Sequence, residues 1–139
     1  WFAQAVDQLL SIHAPDFVAI ESPLTQVAGG STTTMTLHLS SAVTAETARL
    51  CRRRSIRCRY VFQDSWRSRF GVRTPRRADT NRAGFDRSRW NKAEARRICD
   101  FMKIPAASDD AAEAAGVAFW AWEQVNPRTR NLFDLRSEA

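Results

Sequence analysis

Apolar residues recur along this chain at two spacings, and each spacing predicts a different element. In residues 1–13, Phe2, Val6 and Leu10 fall on one face at helical spacing, which predicts a helix that ends before Pro15. Residues 17–20 are continuously apolar, which predicts a strand buried on both faces of a parallel sheet. Residues 57–63 alternate and then become apolar, so we expect a second strand there.

The later elements are predicted as helices. We expect one helix over residues 44–54. A second, short helix should be capped by Asp64 or Ser65 and run to Phe70, with Gly71 at its end. An Asn-Lys-Ala-Glu sequence at 91–94 is typical of a helix start.

The helix that begins at residue 91 should run to about residue 103, and Ser108 should cap a last helix through residue 125. Residues 24–41 and 72–90 are predicted as loops, the first with some helix and the second mobile and basic. The pattern indicates one α/β domain over residues 1–125 and a tail over 126–139.

Charge is concentrated in the middle of the chain. Residues 1–48 carry a net charge of −4, residues 49–98 carry +13 and residues 99–139 carry −3. Of the 21 basic residues 19 are arginine, whose planar guanidinium suits phosphate oxygens. A block of this density favours a polyanionic partner, most simply a nucleic acid, over a merely solvated basic face.

Other classes of protein fit this sequence poorly. The 44% of apolar residues is ordinary for a globular domain, and no apolar run approaches the roughly 20 residues that a membrane span needs. The three cysteines, Cys51, Cys58 and Cys99, do not have the spacing of zinc ligands. We expect reduced thiols in a cytoplasmic protein, buried or half-buried.

Two carboxylate features point to chemistry. Glu21 closes the first predicted strand, and Asp110 and Glu113 open the last helix with an i, i+3 spacing that puts both on one face. Oxygen ligands of this kind suit Mg²⁺ or Mn²⁺, which can activate water against a phosphodiester. Either feature alone is also explained by an exposed strand end or by acids that complement a helix dipole.

Two motifs together resemble those of the RuvC-like Holliday-junction resolvases, members of the RNase H-like nuclease superfamily. Residues 16–21 (DFVAIE), followed by a proline-containing loop, resemble the strand that carries the second acid of that family. Residues 108–118 (SDDAAEAAGVA) resemble the final helix, whose Asp-x-x-Asp motif supplies the last acids. The elements between follow a similar order, so the resemblance covers nearly the whole chain.

The resemblance implies an RNase H-like sheet flanked by helices. It also implies a metal-dependent endonuclease on branched DNA, usually a homodimer, in the cytoplasm and of bacterial or phage origin. By position, Glu21, Asp110 and Glu113 are implied as catalytic metal ligands for Mg²⁺ or Mn²⁺, with Asp109 as an alternate ligand. Glu113 stands where the family more often has Asp.

The resemblance also shows one departure. The first catalytic Asp of the family lies on an N-terminal β-meander, and residues 1–15 contain no such strand. Together with a first residue, Trp1, that is not Met, this leads us to expect a fragment whose activity depends on the missing acid.

Phosphate contacts are predicted for the basic residues of the central segment, and Lys92 matches the lysine that opens the penultimate helix of the family. These residues are Arg52, Arg53, Arg54, Arg67, Arg69, Arg73, Arg76, Arg77 and Lys92. Four aromatic residues among them are candidates for stacking on bases, namely Trp66, Phe70, Phe85 and Trp90.

Two alternatives remain open. One is an RNase H-like module that binds nucleic acid without cutting it, which the missing first acid favours. The other is a basic RNA-binding structural protein in which the acids only cap helices. The second alternative predicts no dependence on metal.

Overall fold

The computed structural model describes residues 1–23 and 33–126, and these form two compact units. The first unit is Trp1–Phe62 and the second begins at Gln63. The fold is mixed α/β and mostly helical, and the described residues include a two-stranded parallel sheet in the first unit. The predicted α/β class is thus confirmed at this coarser level, whereas the RNase H-like topology and the single domain over 1–125 stay predictions.

The first unit contains α1 (Phe2–His13), β1 (Phe17–Glu21), α2 (Thr34–Arg53) and β2 (Arg57–Val61). The prediction for α2 was wrong at its start, which lies ten residues before residue 44. Thr33 caps this helix, because its Oγ1 accepts a hydrogen bond of 3.2 Å from the Thr36 amide. Residues 24–32 of the predicted loop lie outside the described part of the chain.

The two strands pair in parallel, with Glu21 opposite Val61 and a further hydrogen bond of 2.8 Å from the Ser22 amide to the Val61 carbonyl. Parallel strands need a crossover, and α2 provides it while packing on both strands. In β1 Ile20 is buried while Phe17–Ala19 are half-buried. β1 is therefore only partly buried, rather than buried on both faces as predicted, because Phe17–Ala19 and Glu21 each keep some exposure.

The core of the first unit lies between α1, α2 and the sheet. Leu10, Leu50 and Cys51 are its buried centre, and Val18 and Ile56 are among the half-buried residues that pack against it. Leu10 comes from the helical face that the sequence pattern predicted. Burial of this face stabilises α1, whose length is marginal for an isolated helix.

The second unit contains α3 (Gln63–Phe70), α4 (Arg77–Thr80), α5 (Arg87–Met102) and α6 (Asp109–Val125). The short helix before Gly71 is confirmed, but it begins at Gln63, so Asp64 and Ser65 lie in its first turn and the predicted cap was wrong. Gly71 has the positive φ of 87° that favours glycine after a helix. Ser108 caps α6 as predicted, its Oγ accepting from the Ala111 amide at 3.1 Å. The described residues end at Asn126, so most of the predicted tail lies beyond them.

The predicted basic loop over 72–90 was wrong in part. It contains α4 and the first turn of α5, because Asp86 rather than Asn91 caps α5. The Asp86 Oδ1 accepts hydrogen bonds from the amides of Ser88 at 2.7 Å and Arg89 at 3.1 Å. The helix therefore begins four residues earlier than predicted and places Lys92 in its second turn.

Close packing of α3 against α6 forms part of the core of the second unit. Trp66 is fully buried, and a Cβ atom added at Gly116 would lie 2.5 Å from its Cζ3 atom and 3.0 Å from Phe70 Cδ1. Gly116 thus leaves space that the Trp66 ring occupies. Ala112 of α6 and Cys99 of α5 are also buried, and the Cys99 Sγ lies 3.9 Å from the Ala112 carbonyl oxygen.

The cysteines are all free thiols. Cys51 and Cys99 are buried and Cys58 is half-buried, which confirms the predicted burial. Burial raises the pKa of the Cys51 and Cys99 thiols. Within 1–23 and 33–126, none of the helices has the length and apolar character to cross a membrane.

Candidate functional site

Glu21 lies where the sequence predicted it, at the carboxyl end of β1 beside the carboxyl end of β2. Its side chain belongs to a half-buried residue. The carboxyl end of parallel strands is a common place for functional groups in α/β folds. Glu21 belongs to the first unit, whereas the other predicted acids belong to the second.

Those other acids lie in the first two turns of α6, as predicted. Asp109 and Asp110 are exposed in the first turn, and Glu113 is half-buried one turn later. The Asp110 side chain is 83% exposed, so it is open to a ligand from solvent. The helix dipole also favours negative charge at this end.

Each of these acids lies beside a cation from a neighbouring helix. The Lys92 Nζ of α5 is 2.8 Å from Asp110 Oδ1, and the Arg67 Nη2 of α3 is 3.1 Å from Glu113 Oε1. The pairing of Arg96 with Asp109 is looser, at 3.7 Å. We call Lys92, Arg67, Asp110 and Glu113 the α6 charge cluster.

The α6 charge cluster changes the pKa of Lys92. The hydrogen bond from Lys92 to Asp110 raises the pKa of the Lys92 ammonium, and the nearby charges of Glu113 and Asp109 act in the same direction. Lys92 therefore stays protonated throughout the physiological range. The position of Lys92 thus fits either a phosphate contact or a structural ion pair.

A buried carboxylate that the sequence reasoning did not identify lies nearby on α5. Glu94 is 6% exposed, and its two oxygens accept hydrogen bonds of 2.9 Å from Nε and Nη2 of Arg73. Arg97 adds a further contact of 3.1 Å. The Arg73 hydrogen bonds, supported by Arg97, lower the pKa of the Glu94 carboxyl from 4.5 to about 2 against the opposing effect of burial.

Glu94 was interpreted as the acid of a capping box at Asn91. The signal that could have corrected this is its spacing, since Glu94, Ala95 and Ile98 lie on one buried helical face. A carboxylate on such a face needs a cationic partner. Arg73 is that partner, so this predicted phosphate-binding residue is also a structural one.

The predicted phosphate-binding residues fall into two groups. Arg54 is paired with Asp7 at 2.8 Å, which lowers the pKa of the Asp7 carboxyl, and Arg67, Arg73 and Lys92 are paired as described. Arg69 is half-buried in α3 and also has an interaction partner. The group that is exposed and forms no side-chain hydrogen bond or ion pair among the described residues is Arg52, Arg53, Arg76 and Arg77.

The structure corrects the aromatic candidates. Trp66 and Phe70 are 0% and 4% exposed, so they are core residues of the second unit and do not stack on bases. Phe85 and Trp90 are half-buried with ring centroids 6.2 Å apart. The Trp90 indole also donates a hydrogen bond of 3.0 Å to the Arg73 carbonyl, which fixes its position.

The donor chemistry at α6 fits a hard cation, because Mg²⁺ is often bound through one or two carboxylates together with water and substrate phosphate. Asp110 and Glu113 provide two such carboxylates on one helix face. Across the described ranges, no group of three or more His, Cys, Asp or Glu side chains lies close enough together to hold a metal ion.

Comparison of the chain with protein-family models, with curated proteins and with solved structures gives no match. The resemblance to RuvC-like resolvases therefore rests on the two motifs and on the order of the elements.

Proposed function

We propose that this protein is a RuvC-like, metal-dependent endonuclease that cleaves phosphodiesters in branched DNA. The observation that carries the proposal is the α6 charge cluster. In it, two carboxylates one turn apart each contact a cation from a different helix, and the Asp110 carboxylate is open to solvent. Such an arrangement fixes metal-binding oxygens and places a lysine where a phosphate would approach them.

The basic segment supports a polyanionic substrate. Residues 49–98 carry +13, and Arg52, Arg53, Arg76 and Arg77 are among the arginines that are exposed and form no side-chain hydrogen bond or ion pair within the described ranges. Because these guanidinium groups form no ion pair that a phosphate would have to break, phosphate contact would release counterions at little cost. We assign them to binding of the DNA backbone outside the cleavage site.

The acids have separate roles in the proposal. Asp110 and Glu113 bind the divalent ion, and the resemblance implies a metal-ligand role for Glu21 as well. Mg²⁺ or Mn²⁺ would supply Lewis acidity toward the phosphate and lower the pKa of a bound water. With an ion on Asp110, Lys92 would give up its hydrogen bond to that carboxylate, and its ammonium would be free to contact the phosphate. As the resemblance implies, the active form is a homodimer.

The test is cleavage of a labelled four-way DNA junction against a linear duplex with the same arms, in Mg²⁺, Mn²⁺ or EDTA. Cutting should need the metal and prefer the junction. Glu21→Gln, Asp110→Asn and Glu113→Gln should each abolish cutting and leave binding intact. Asp100→Asn is the matched control, because Asp100 is an exposed acid on α5 outside the cluster. Cutting that persists in Glu21→Gln, Asp110→Asn and Glu113→Gln would refute the assignment.

A second candidate function is an RNase H-like module that binds nucleic acid without cutting it. The favouring observation is that Asp109, Asp110 and Glu113 each have a cationic neighbour, so they also serve to hold α6 against α3 and α5. This candidate predicts tight junction binding with no cleavage in any metal. It also predicts that Asp110→Asn lowers thermal stability slightly, since the half-buried Lys92 loses its partner.

A further inference from the structure

A polar cleft of about 510 Å³ lies in the second unit, between α3, the segment that follows it and the start of α5. Three arginines line it, namely Arg67 from α3, Arg73 from the segment and Arg87 from α5. One carboxylate, Asp64, lines it as well. The cleft is distinct from the carboxylate face of α6, which it touches only through Arg67 and its partner Glu113.

The three arginines are not equally engaged. Arg67 uses Nη1 for Gln63 at 3.0 Å and Nη2 for Glu113, while its buried Nε has no hydrogen-bond partner among the described residues. Arg73 uses Nε and Nη2 for Glu94, so the pair leaves its Nη1 group unused. Arg87 is exposed and forms no side-chain hydrogen bond or ion pair within the described ranges.

The carboxylate partners make two of these guanidinium groups rigid parts of the cleft wall. A guanidinium that a buried carboxylate already orients loses little further freedom when it contacts a ligand. Arg87 adds a charge that no described carboxylate neutralises. The cleft is completed by neutral hydrogen-bonding side chains, those of Ser68, Thr74 and Asn91. Planar donors and hydroxyls around a guanidinium with no ion pair, that of Arg87, are suited to a tetrahedral phosphate.

We propose that this cleft binds a backbone phosphate of the nucleic acid, with Arg87 as the residue that supplies the free guanidinium. The inference deepens the proposed function and rests on nucleic acid being the partner, but it does not require that the α6 acids bind metal. A fixed phosphate at this cleft would set the register of the strand relative to α5. Arg87 is not one of the arginines for which the sequence analysis predicted a phosphate contact.

The test is binding of a fluorescently labelled junction, measured by anisotropy in EDTA so that cutting plays no part. Salt dependence is compared between Arg87→Gln and Arg89→Gln, a control on the same helix that does not line the cleft. Loss of one phosphate contact should lower the salt slope of log K by about 1 for Arg87→Gln, and by clearly less for Arg89→Gln. Circular dichroism should show that both variants keep the helical fold.

A competition arm separates a strand phosphate from free phosphate. Inorganic phosphate should displace the junction from the native protein better than chloride at equal ionic strength, and Arg87→Gln should remove that difference. Equal effects of Arg87→Gln and Arg89→Gln on both readouts would overturn the proposal. The proposal would also be overturned if phosphate competes in the native protein while Arg87→Gln binds the junction as tightly as the native protein does. The cleft would then bind free phosphate and not a strand phosphate. A chain that binds in EDTA but never cuts would instead contradict the nuclease proposal.

Discussion

The two units use arginine in different ways. In the first, Arg52 and Arg53 end α2 and remain exposed without a side-chain partner among the described residues. In the second, Arg73 and Arg97 converge on the buried Glu94. In the first unit the ion pair between Arg54 and Asp7 involves a half-buried acid, whereas the second unit holds the buried carboxylate of Glu94.

This difference explains why a count of arginines overstates the charge offered to DNA. An arginine that binds a buried carboxylate neutralises an internal charge and orders its own side chain. It can contact a phosphate only with the donors that the pair leaves free. Exposed arginines without an ion pair, such as Arg52 and Arg53, have no such restriction, so they should dominate salt-dependent binding.

The largest effect that distinguishes the units should come from Glu94→Ala. Removing the buried carboxylate leaves Arg73 and Arg97 without their shared partner and α5 with a small cavity, so we expect a loss of about 3 kcal/mol in the free energy of unfolding. Urea denaturation followed by tryptophan fluorescence measures it. Glu46→Ala, which removes an exposed pair with Arg49 within α2, is the control and should change little. Equal losses would contradict the comparison.

Acid should reveal the same carboxylate. The pKa of Glu94 is about 2 when folded and near 4.5 when unfolded, so its ion pairs stabilise the protein fully above pH 4.5. That contribution, about 3 kcal/mol at most, is lost as the pH falls from 4.5 toward 2. The difference in stability between the native protein and Glu94→Gln should therefore shrink over this window. A difference that stays constant with pH would show that Glu94 does not titrate as described.

Packing of α6 on α3 should be sensitive to a single methyl group. Gly116→Ala would place a Cβ atom 2.5 Å from the Trp66 ring, so we expect destabilisation of about 1–3 kcal/mol despite the better helix propensity of alanine. Trp66→Phe shortens the ring that must move. In a double-mutant cycle, the two substitutions should therefore cost less together than the sum of their separate effects. Strict additivity would argue against this contact.

The smallest predicted effect separates free from paired arginines. The double variant Arg52→Gln, Arg53→Gln should reduce the salt slope of DNA binding by about 2 if both contact phosphates. Arg97→Gln should reduce it by less than about 1, because Arg97 is held by Glu94. The slopes are obtained by titrating the junction at several salt concentrations in EDTA. A larger change from Arg97→Gln would reverse the assignment of the two groups.

The elements that sequence reasoning predicted well are those with strong local signals. The apolar run of β1, the periodic face of α1 and the Ser108 cap of α6 depend on neighbours in the sequence. The start of α2 was missed because its first turns are rich in Thr and Ser, which have low intrinsic helix propensity. The Asp86 cap of α5 was missed because residues 72–90 were predicted to be a loop from their many arginines.

The candidate site was predicted in part for the same reason. Asp110 and Glu113 lie on one helix face, which spacing alone predicts. Their partners Lys92 and Arg67 come from other helices, so only tertiary structure brings them together. Burial of Trp66 and Phe70 likewise depends on α6, which is distant in sequence. Local patterns could not show which charges and rings the core would use.

The central claim is that the start of α6 binds a divalent metal ion, and direct binding of Mn²⁺ tests it without relying on cleavage. Electron paramagnetic resonance of free Mn²⁺ in the presence of the protein counts the bound ions. The account predicts bound Mn²⁺ that is lost in Asp110→Asn and retained in Asp100→Asn, with tighter binding in Lys92→Met because its ammonium no longer competes for Asp110. No bound Mn²⁺ at millimolar concentration, or equal binding in Asp110→Asn, would contradict the nuclease and leave the carboxylates with a structural role.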